Sequence, residues 1–318
     1  MKKAFALVLT LVLAIGLLSA CGTGKNSDKL QIVTTVFPEY DWVKNVLGDR
    51  ASSAEITLLC DNGVDMHSYQ PTAEDVMKIS TCDLFIYVGG ESDAWVKKAL
   101  ENPKNKNRVV INLMEVLGEN AKQEETVEGM ESEDGEEDEA EYDEHVWLSF
   151  GNAVTFSDRI AAELGKLDPD HAQEYSDNAK QYAEKLGALK AEYQKAVDAS
   201  EKKTLLLADR FPFRYLVDEF GLSYYAAFKG CSAETEASFE TVIFLAGKAD
   251  ELGLNTVLTI DGGSRKIAEA VISNTKDKNR QILSLNSMQS VTKKDIEAGT
   301  TYLSVMTDNL EVLKQALR

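Results

Sequence analysis

Two of the chain's three histidines stand where a protein could bind a metal ion. His67 lies in residues 63–75, between an apolar run at 56–59 that predicts a buried strand and a helix that we expect to begin near Ala73, with Thr72 as its N-cap. Open α/β sheets bind ligands beyond the carboxyl ends of their strands, and His67 has such a position. Imidazole is mostly neutral at pH 7 and suits zinc, copper, iron or nickel. On this stretch alone an ordinary loop histidine is the alternative.

A second histidine and an aspartate occupy comparable places. His145 directly follows an acidic run, at the point where an apolar pattern resumes. Asp209 comes where the first predicted strand of the second half, residues 204–208, ends. Together with His67 these groups could close on one divalent ion, as a three- or four-ligand zinc site requires. The alternatives are that His145 anchors its loop and that Asp209 pairs with Arg210.

Four further polar residues are candidates for the same site, namely Asn286, Glu234, Glu236 and Asp261. Asn286 is neutral and a poor donor for a transition metal, so a hydrogen-bonding role is favoured for it. Glu234 and Glu236 lie on a loop that could reach the site, although a helix N-terminus accounts for them equally well. Asp261, before two glycines, is typical of a turn. The third and fourth ligands therefore stay open at this point.

The beginning of the chain predicts an exported protein that is held at the membrane. Two lysines precede an apolar stretch, residues 4–18, that is too short to span a membrane comfortably. The sequence then reads Leu-Ser-Ala-Cys-Gly, which resembles a bacterial lipobox, so we expect residues 1–20 to be a signal peptide and Cys21 the lipid-modified residue. The alternative is an ordinary signal peptide with an incidental cysteine. Residues 21–28 predict a polar tether.

An acidic run at residues 119–144 dominates the charge of the chain. It holds fourteen acids and one lysine, a net charge of −13, within a formal total of −19. This balance argues against nucleic-acid binding, which requires basic patches, and it permits cationic ligands. Because the run lacks apolar periodicity, we expect a disordered loop.

Three cysteines follow Cys21, namely Cys60, Cys82 and Cys231. None of them has the C-x-x-C spacing that is typical of redox motifs and zinc sites. An odd number of cysteines outside the cell permits one disulfide, and the sequence leaves its partners open.

Strands alternate with helices along both halves of the chain, which predicts parallel sheets built from right-handed βαβ units. Between the halves, apolar residues recur at steps of four and three from Tyr175 to Ala196, which predicts one helix about 45 Å long. We therefore predict an α/β fold with an N-terminal lobe at 29–170, a rigid connecting helix at 171–200 and a C-terminal lobe at 201–318. A cleft between two lobes is a usual place for a small ligand.

Five segments along the chain match one set of motifs: residues 36–42, the His67 loop at 63–72, the predicted strand at 83–90, the His145 segment at 143–149 and Asp168-Pro169. These segments jointly resemble the metal-binding lipoproteins of ABC importers for zinc and manganese, the ZnuA/AdcA/TroA-like family. The resemblance covers nearly the whole chain after the predicted signal peptide.

This resemblance implies a solute-binding protein, not an enzyme, that captures Zn²⁺ between two lobes and delivers it to an ABC permease. It makes His67 and His145 the first two ligands and Asp209 the substitute for a third, while Asn286 stands where the family often has an acidic residue. Zinc is preferred because imidazole suits it and because the acidic run stands where zinc-binding members carry a charged loop. The expected protein is a monomer, lipid-anchored on the extracytoplasmic face of the cell membrane, with the metal as cargo and no catalytic cofactor.

Three alternatives to this interpretation stay open. A manganese-binding member of the same family is the first, since two histidines with oxygen ligands would suit that harder ion. A metallohydrolase is disfavoured because the sequence has no H-E-x-x-H or comparable motif that would supply both ligands and a general base. A surface adhesin without transport is the third.

Overall fold

The computed structural model describes residues 29–131, 141–232 and 236–318. The predicted signal peptide, Cys21 and the tether lie outside the described residues, as does Glu234. Within the described ranges, no helix is both long and apolar enough to cross a membrane.

The first lobe is built on a four-stranded sheet, in the order β2-β1-β3-β4, in which every strand is parallel to its neighbours. Its strands are β1 (Leu30–Thr34), β2 (Ala54–Leu58), β3 (Leu84–Tyr87) and β4 (Val109–Asn112). Its helices are α1 (Phe37–Leu47), α2 (Ala73–Thr81), α3 (Ala94–Ala99) and α4 (Leu113–Leu117). The central strands are mostly buried, as is usual for a parallel sheet covered on both faces.

Two long helices follow the first sheet and precede the second in the sequence, namely α5 (Phe150–Leu167) and α6 (Ala172–Ala199). Ser149 caps α5 by accepting a hydrogen bond from the Asn152 N–H. α6 is the predicted connecting helix, and its buried residues largely follow the predicted stripe: Tyr175, Ala179, Tyr182, Leu186, Tyr193 and Val197. The helix is therefore held by one apolar side rather than by its intrinsic propensity alone.

The second lobe repeats the arrangement of the first, with an all-parallel sheet in the order β6-β5-β7-β8. Its strands are β5 (Thr204–Phe211), β6 (Ser223–Lys229), β7 (Thr256–Ile260) and β8 (Gln281–Leu285). Its helices are α7 (Arg214–Phe220), α8 (Phe239–Glu251), α9 (Lys266–Asn274), α10 (Lys293–Glu297) and α11 (Tyr302–Ala316). The register of β5 against β6 shifts between Leu207 and Arg210, so the end of β5 is irregular.

One apolar core runs through both lobes. Tyr302, at the start of α11, packs on Trp42 of α1 with ring centroids 5.6 Å apart, and its hydroxyl donates to the carbonyl of Trp147. The hydroxyl of Tyr193 on α6 donates to the carbonyl of Met306. Because these side chains are fully buried and tie the last helix to the first lobe and to α6, wide separation of the lobes would expose a large apolar area.

The predicted fold of two α/β lobes with parallel sheets and one long helix is confirmed. Two local features are not apparent from the sequence pattern. Pro38 lies in the first turn of α1, where the missing N–H of proline is tolerated. The helix α4 is only five residues long, too short to show periodicity in the sequence.

The acidic run is ordered wherever the structure describes it, so the prediction of a disordered loop is wrong for residues 119–131 and 141–144. Gln123 forms an antiparallel bridge with Tyr142, and the Glu124 N–H donates to the Glu141 carbonyl over 2.8 Å. Residues 132–140, in the middle of the run, lie outside the described residues.

Residues 122–131, which we call the strap, lie along the second lobe. Glu125 pairs with Arg214, and Glu128 lies 3.8 Å from the ammonium of Lys248. The Glu131 N–H donates to the carbonyl of Ala227 on the edge strand β6 over 2.9 Å. Acidic composition predicts disorder when the acids lack partners, and here the second lobe supplies them.

Candidate metal centre

The loop after β2 presents His67 through a short 3₁₀ turn, Met66–Ser68. The Asp65 carboxylate accepts the His67 backbone N–H over 3.0 Å, which fixes the start of this turn. On the imidazole, Nδ1 lies 2.7 Å from the Ser92 hydroxyl, and the Ser92 N–H in turn donates to Glu144 over 3.0 Å. The ring is therefore held from one side, and its Nε2 atom faces the junction of the lobes.

His145 is fully buried and is held by its near neighbour Asp143. Asp143 Oδ1 accepts the His145 backbone N–H over 2.8 Å and lies 2.9 Å from ring Nδ1. Burial raises the pKa of Asp143 to about 7, and its bond from the His145 N–H opposes that shift. With the proton on Nδ1, facing the carboxylate, the lone pair of Nε2 is left for a ligand. Glu124 joins Asp143 on this outer side of the ring.

The two imidazoles meet with their Nε2 atoms 3.2 Å apart. Two nitrogens bound to one tetrahedral zinc, each at 2.0–2.1 Å, are separated by about 3.3 Å. Burial lowers the pKa of His67 to about 3, with repulsion from His145 as the second cause, and burial lowers the pKa of His145 to about 4. Both rings are therefore neutral near pH 7, in the form that binds a metal, and they are spaced as two zinc ligands would be.

Gln289 reaches the same point from the second lobe, on the loop after β8. Its Nε2 lies 2.6 Å from Nε2 of His145 and 3.1 Å from Nε2 of His67. The amide is held on its other side, where Oε1 lies 3.2 Å from the Ser287 hydroxyl. Met288, just before it, has a φ of 65°, a left-handed conformation that is uncommon for a residue with a side chain. A metal bound by both imidazoles would have to take the place of this amide group.

Cys231 is the third potential ligand at the two imidazoles, and it lies on the segment that follows β6. Its sulfur and one ring nitrogen of each histidine all lie within 4.8 Å of one another. Burial, together with the nearby Glu124 carboxylate, raises the pKa of the Cys231 thiol well above its usual range. Cys60 and Cys82 are also free thiols, so no disulfide joins these three described cysteines.

Asp209 is not brought into this group. Its carboxylate accepts the Arg210 N–H over 2.9 Å and the Ile260 N–H over 3.3 Å, so it faces β7 within its own lobe. Among the described residues, neither of the two clusters of potential metal ligands includes it. The side chain of Arg210 does not pair with Asp209 either, because its guanidinium lies 2.5 Å from Asp65 across the lobe junction. The ligand role of Asp209 stays a prediction.

Two of the remaining candidates, Asn286 and Asp261, have structural partners instead. Asn286 Oδ1 accepts the Met288 N–H over 2.8 Å, which is the hydrogen-bonding role favoured from its chemistry. Asp261 accepts the Ser287 N–H over 2.5 Å and so supports the loop that carries Gln289. Glu236 is exposed.

Sequence reasoning does not place Cys231 or Gln289 beside the two histidines. Cys231 stands just beyond the carboxyl end of β6, the same kind of position that singled out His67 and Asp209. The same positional signal therefore indicates Cys231, but the sequence-based interpretation treats the cysteine only as a disulfide candidate. Nothing in the local sequence marks Gln289, because its role depends on histidines far along the chain.

Comparison with known proteins places this arrangement in a family. The family model described as "Zinc-uptake complex component A periplasmic" matches residues 32–316. The zinc-binding lipoprotein AdcA of Streptococcus pneumoniae is 31% identical over 99% of this chain, and the chain spans only 61% of the length of that relative. The high-affinity zinc uptake system protein ZnuA of Bacillus subtilis is 28% identical, with 95% of this chain and 94% of the relative covered.

A solved structure of a related domain is also similar to this chain. The Zn(II)-bound ZnuA-like domain of Streptococcus pneumoniae AdcA superposes with a TM-score of 0.70 and 29% sequence identity. The match covers 91% of this chain and 99% of that domain.

The chain has two α/β lobes on one long helix, with two imidazoles meeting at their junction, and it is similar to proteins named for zinc binding and zinc uptake. The chain belongs to the zinc-uptake complex component A family. The predicted family is thereby confirmed, and the matched relatives are named as zinc-binding or zinc-uptake proteins.

Proposed function

We propose that this protein captures Zn²⁺ at the junction of its lobes through Nε2 of His67 and Nε2 of His145, and delivers it to an ABC permease. The observation that carries the proposal is the 3.2 Å separation of these two atoms. Each ring is held through its other nitrogen, so both Nε2 atoms are directed at one point before a metal arrives.

Zinc is preferred to manganese in this proposal because of the atoms that surround the two Nε2 positions. Among the described residues, the potential ligand that lies in a cluster with both histidines is a thiol. No described carboxylate lies in a cluster with both rings. Manganese favours carboxylate, carbonyl and water oxygens, whereas imidazole and sulfur suit zinc. The names of the matched relatives, which are zinc-binding and zinc-uptake proteins, support the same choice.

The proposed location is the extracytoplasmic face of the cell membrane, where a lipid on Cys21 anchors the chain. The proposed oligomeric state is a monomer. The lipobox-like sequence supports it, as does the name of the relative AdcA, a zinc-binding lipoprotein. Metabolic labelling with a radioactive fatty acid tests the anchor. Label on the wild type that Cys21→Ser abolishes is expected, and label on neither protein would contradict it.

Metal specificity is tested by elemental analysis and by competitive titration of the metal-stripped protein with zinc and manganese. We expect one tightly bound zinc per chain that manganese does not displace, and loss of that binding in His67→Ala. His171→Ala is the matched control, because the third histidine lies beside Asp168 at the start of α6 and should leave zinc binding unchanged. Tight retention of manganese, or binding that His67→Ala leaves intact, would overturn the proposal.

Delivery is tested in cells. A strain that lacks the gene should take up zinc poorly at low external concentration, and the wild-type gene should restore uptake. The His67→Ala gene should not restore it, although the protein accumulates normally. Uptake that does not depend on the gene would contradict a role in import.

A further inference from the structure

We propose that Cys231 supplies the third ligand of the metal, so that the centre is formed by two imidazoles and one thiolate. This inference rests on the proposed function, since it concerns the same ion. It assigns to the second lobe a ligand that binds zinc more strongly than an amide or a hydroxyl would.

The first support is the distance between the potential ligand atoms. The cysteine sulfur and one ring nitrogen each of His67 and His145 lie within 4.8 Å of one another. In a tetrahedral zinc site with Zn–N of 2.0–2.1 Å and Zn–S of 2.3 Å, nitrogen and sulfur are about 3.6 Å apart. The potential ligand atoms would therefore have to approach one another by at most about 1.2 Å to bind one zinc ion.

The second support is how closely the backbone before Cys231 approaches His145. A Cβ atom on Gly230 would lie 3.2 Å from His145 Nδ1 and 2.9 Å from the carbonyl oxygen of Phe211. Only a residue without a side chain lets the chain pass this close to the ring. The segment that carries the thiol therefore lies beside His145, on the Nδ1 side of the ring.

The third support is a set of hydrogen bonds that fixes this segment from the strap. The Glu124 carboxylate accepts the Gly230 N–H over 3.2 Å and the Cys231 N–H over 3.1 Å. Glu124 also lies in the cluster of Asp143 and His145. One carboxylate from the ordered acidic run therefore positions the second-lobe thiol and stands beside the first-lobe imidazole at the same time.

Binding of the metal by Cys231 requires only that the thiol lose its proton. The thiol gives its proton to solvent as its sulfur forms the bond to the metal, and no oxidant or reductant is needed. The thiolate then cancels one of the two positive charges of the ion, while the neutral imidazoles cancel none. A soft sulfur ligand favours zinc and disfavours manganese, which makes Cys231 a determinant of metal specificity.

The test uses cobalt(II) as a spectroscopic probe in place of zinc. The wild-type cobalt complex should show an intense near-ultraviolet band from thiolate-to-cobalt charge transfer. Cys231→Ser should lose this band, bind zinc at least about tenfold more weakly, and lose most of its discrimination against manganese. Cys82→Ala is the control, because Cys82 is a buried free thiol elsewhere in the first lobe and should leave the band and the affinity unchanged.

The outcomes separate the two proposals. A wild-type complex without the charge-transfer band, or a Cys231→Ser variant with unchanged zinc affinity, would overturn the role of Cys231 while leaving the histidine site in place. Failure of the folded wild-type protein to bind zinc or cobalt at all would instead overturn the proposed function. Circular dichroism on each variant shows whether a loss of binding comes with a loss of fold.

Discussion

The two halves of the metal centre are built differently. The first lobe offers His67 and His145, each held on one side by groups from its own lobe, Ser92 for the first and Asp143 for the second. The second lobe offers Cys231 and Gln289 from loops after two different strands. The Cys231 segment is tied to the strap, and the Gln289 amide has the histidines themselves as partners.

This difference indicates that the two lobes contribute to the proposed site in different ways. The first lobe holds the two proposed histidine ligands in place, whereas in the second lobe the Gln289 amide would have to move for a metal to bind. Because the core is continuous across the lobes, this movement is expected in the loops rather than in wide lobe opening. The predictions below test this comparison by changing first one half and then the other.

The largest effect is expected for His145→Ala, which removes a fully buried proposed ligand from the first lobe. Zinc affinity should fall by more than about a hundredfold, beyond the usual loss for a residue that only supports a ligand. Isothermal titration calorimetry measures this, with circular dichroism to confirm that the variant is folded. A modest loss in a folded variant would mean that the imidazole pair does not form the site.

A smaller loss is expected for Asp143→Asn, which keeps the shape of the side chain beside His145 and removes its charge. Partners of metal-bound histidines typically contribute about 10- to 100-fold in affinity, so the titrated zinc affinity should fall within that range. Asp83→Asn, which changes a carboxylate of the same lobe at the start of β3, is the control and should not change zinc affinity. Equal effects of the two variants would indicate a general electrostatic loss rather than a held imidazole.

In the second lobe, Gln289→Ala should tighten zinc binding by about tenfold. The amide would no longer compete for the two Nε2 atoms, and each lost hydrogen bond is worth about 1 kcal/mol. Gln281→Ala, at an exposed position on β8, is the control. Weaker binding by Gln289→Ala would show instead that the amide oxygen turns to become a ligand. Competition with a chromophoric chelator gives the affinities.

The smallest effect is expected for Asp209→Asn, with a change in zinc affinity of less than about threefold, since its carboxylate accepts backbone N–H groups of its own lobe. The same competition assay measures it. A loss as large as that of His145→Ala would return Asp209 to the ligand set that the sequence predicts.

The sequence singles out the two first-lobe histidines of the proposed centre and does not indicate Gln289 in the second lobe. His67 and His145 each lie in a short segment whose neighbours, Asp65 and Asp143, also hold it in place, so the relevant contacts are local in sequence. The approach of Gln289 to His145 joins residues 144 positions apart. No local pattern encodes a contact of that range.

Two further differences have tertiary causes. The acidic run is ordered because its carboxylates meet N–H groups and basic side chains of the second lobe, which composition does not reveal. Asp209 is turned away because the register of β5 shifts where the strand ends, and a shift of one residue redirects a side chain. The fold itself depends on apolar periodicity, which is visible along most of the chain outside the acidic run.

The most direct test of the central claim is X-ray absorption spectroscopy at the zinc edge of the fully loaded protein. Zinc held between the lobes by His67 and His145, with Cys231 as a third ligand, predicts scattering from two imidazoles at about 2.0–2.1 Å and from one sulfur at about 2.3 Å. A coordination shell of oxygen atoms without imidazole scattering would contradict the account.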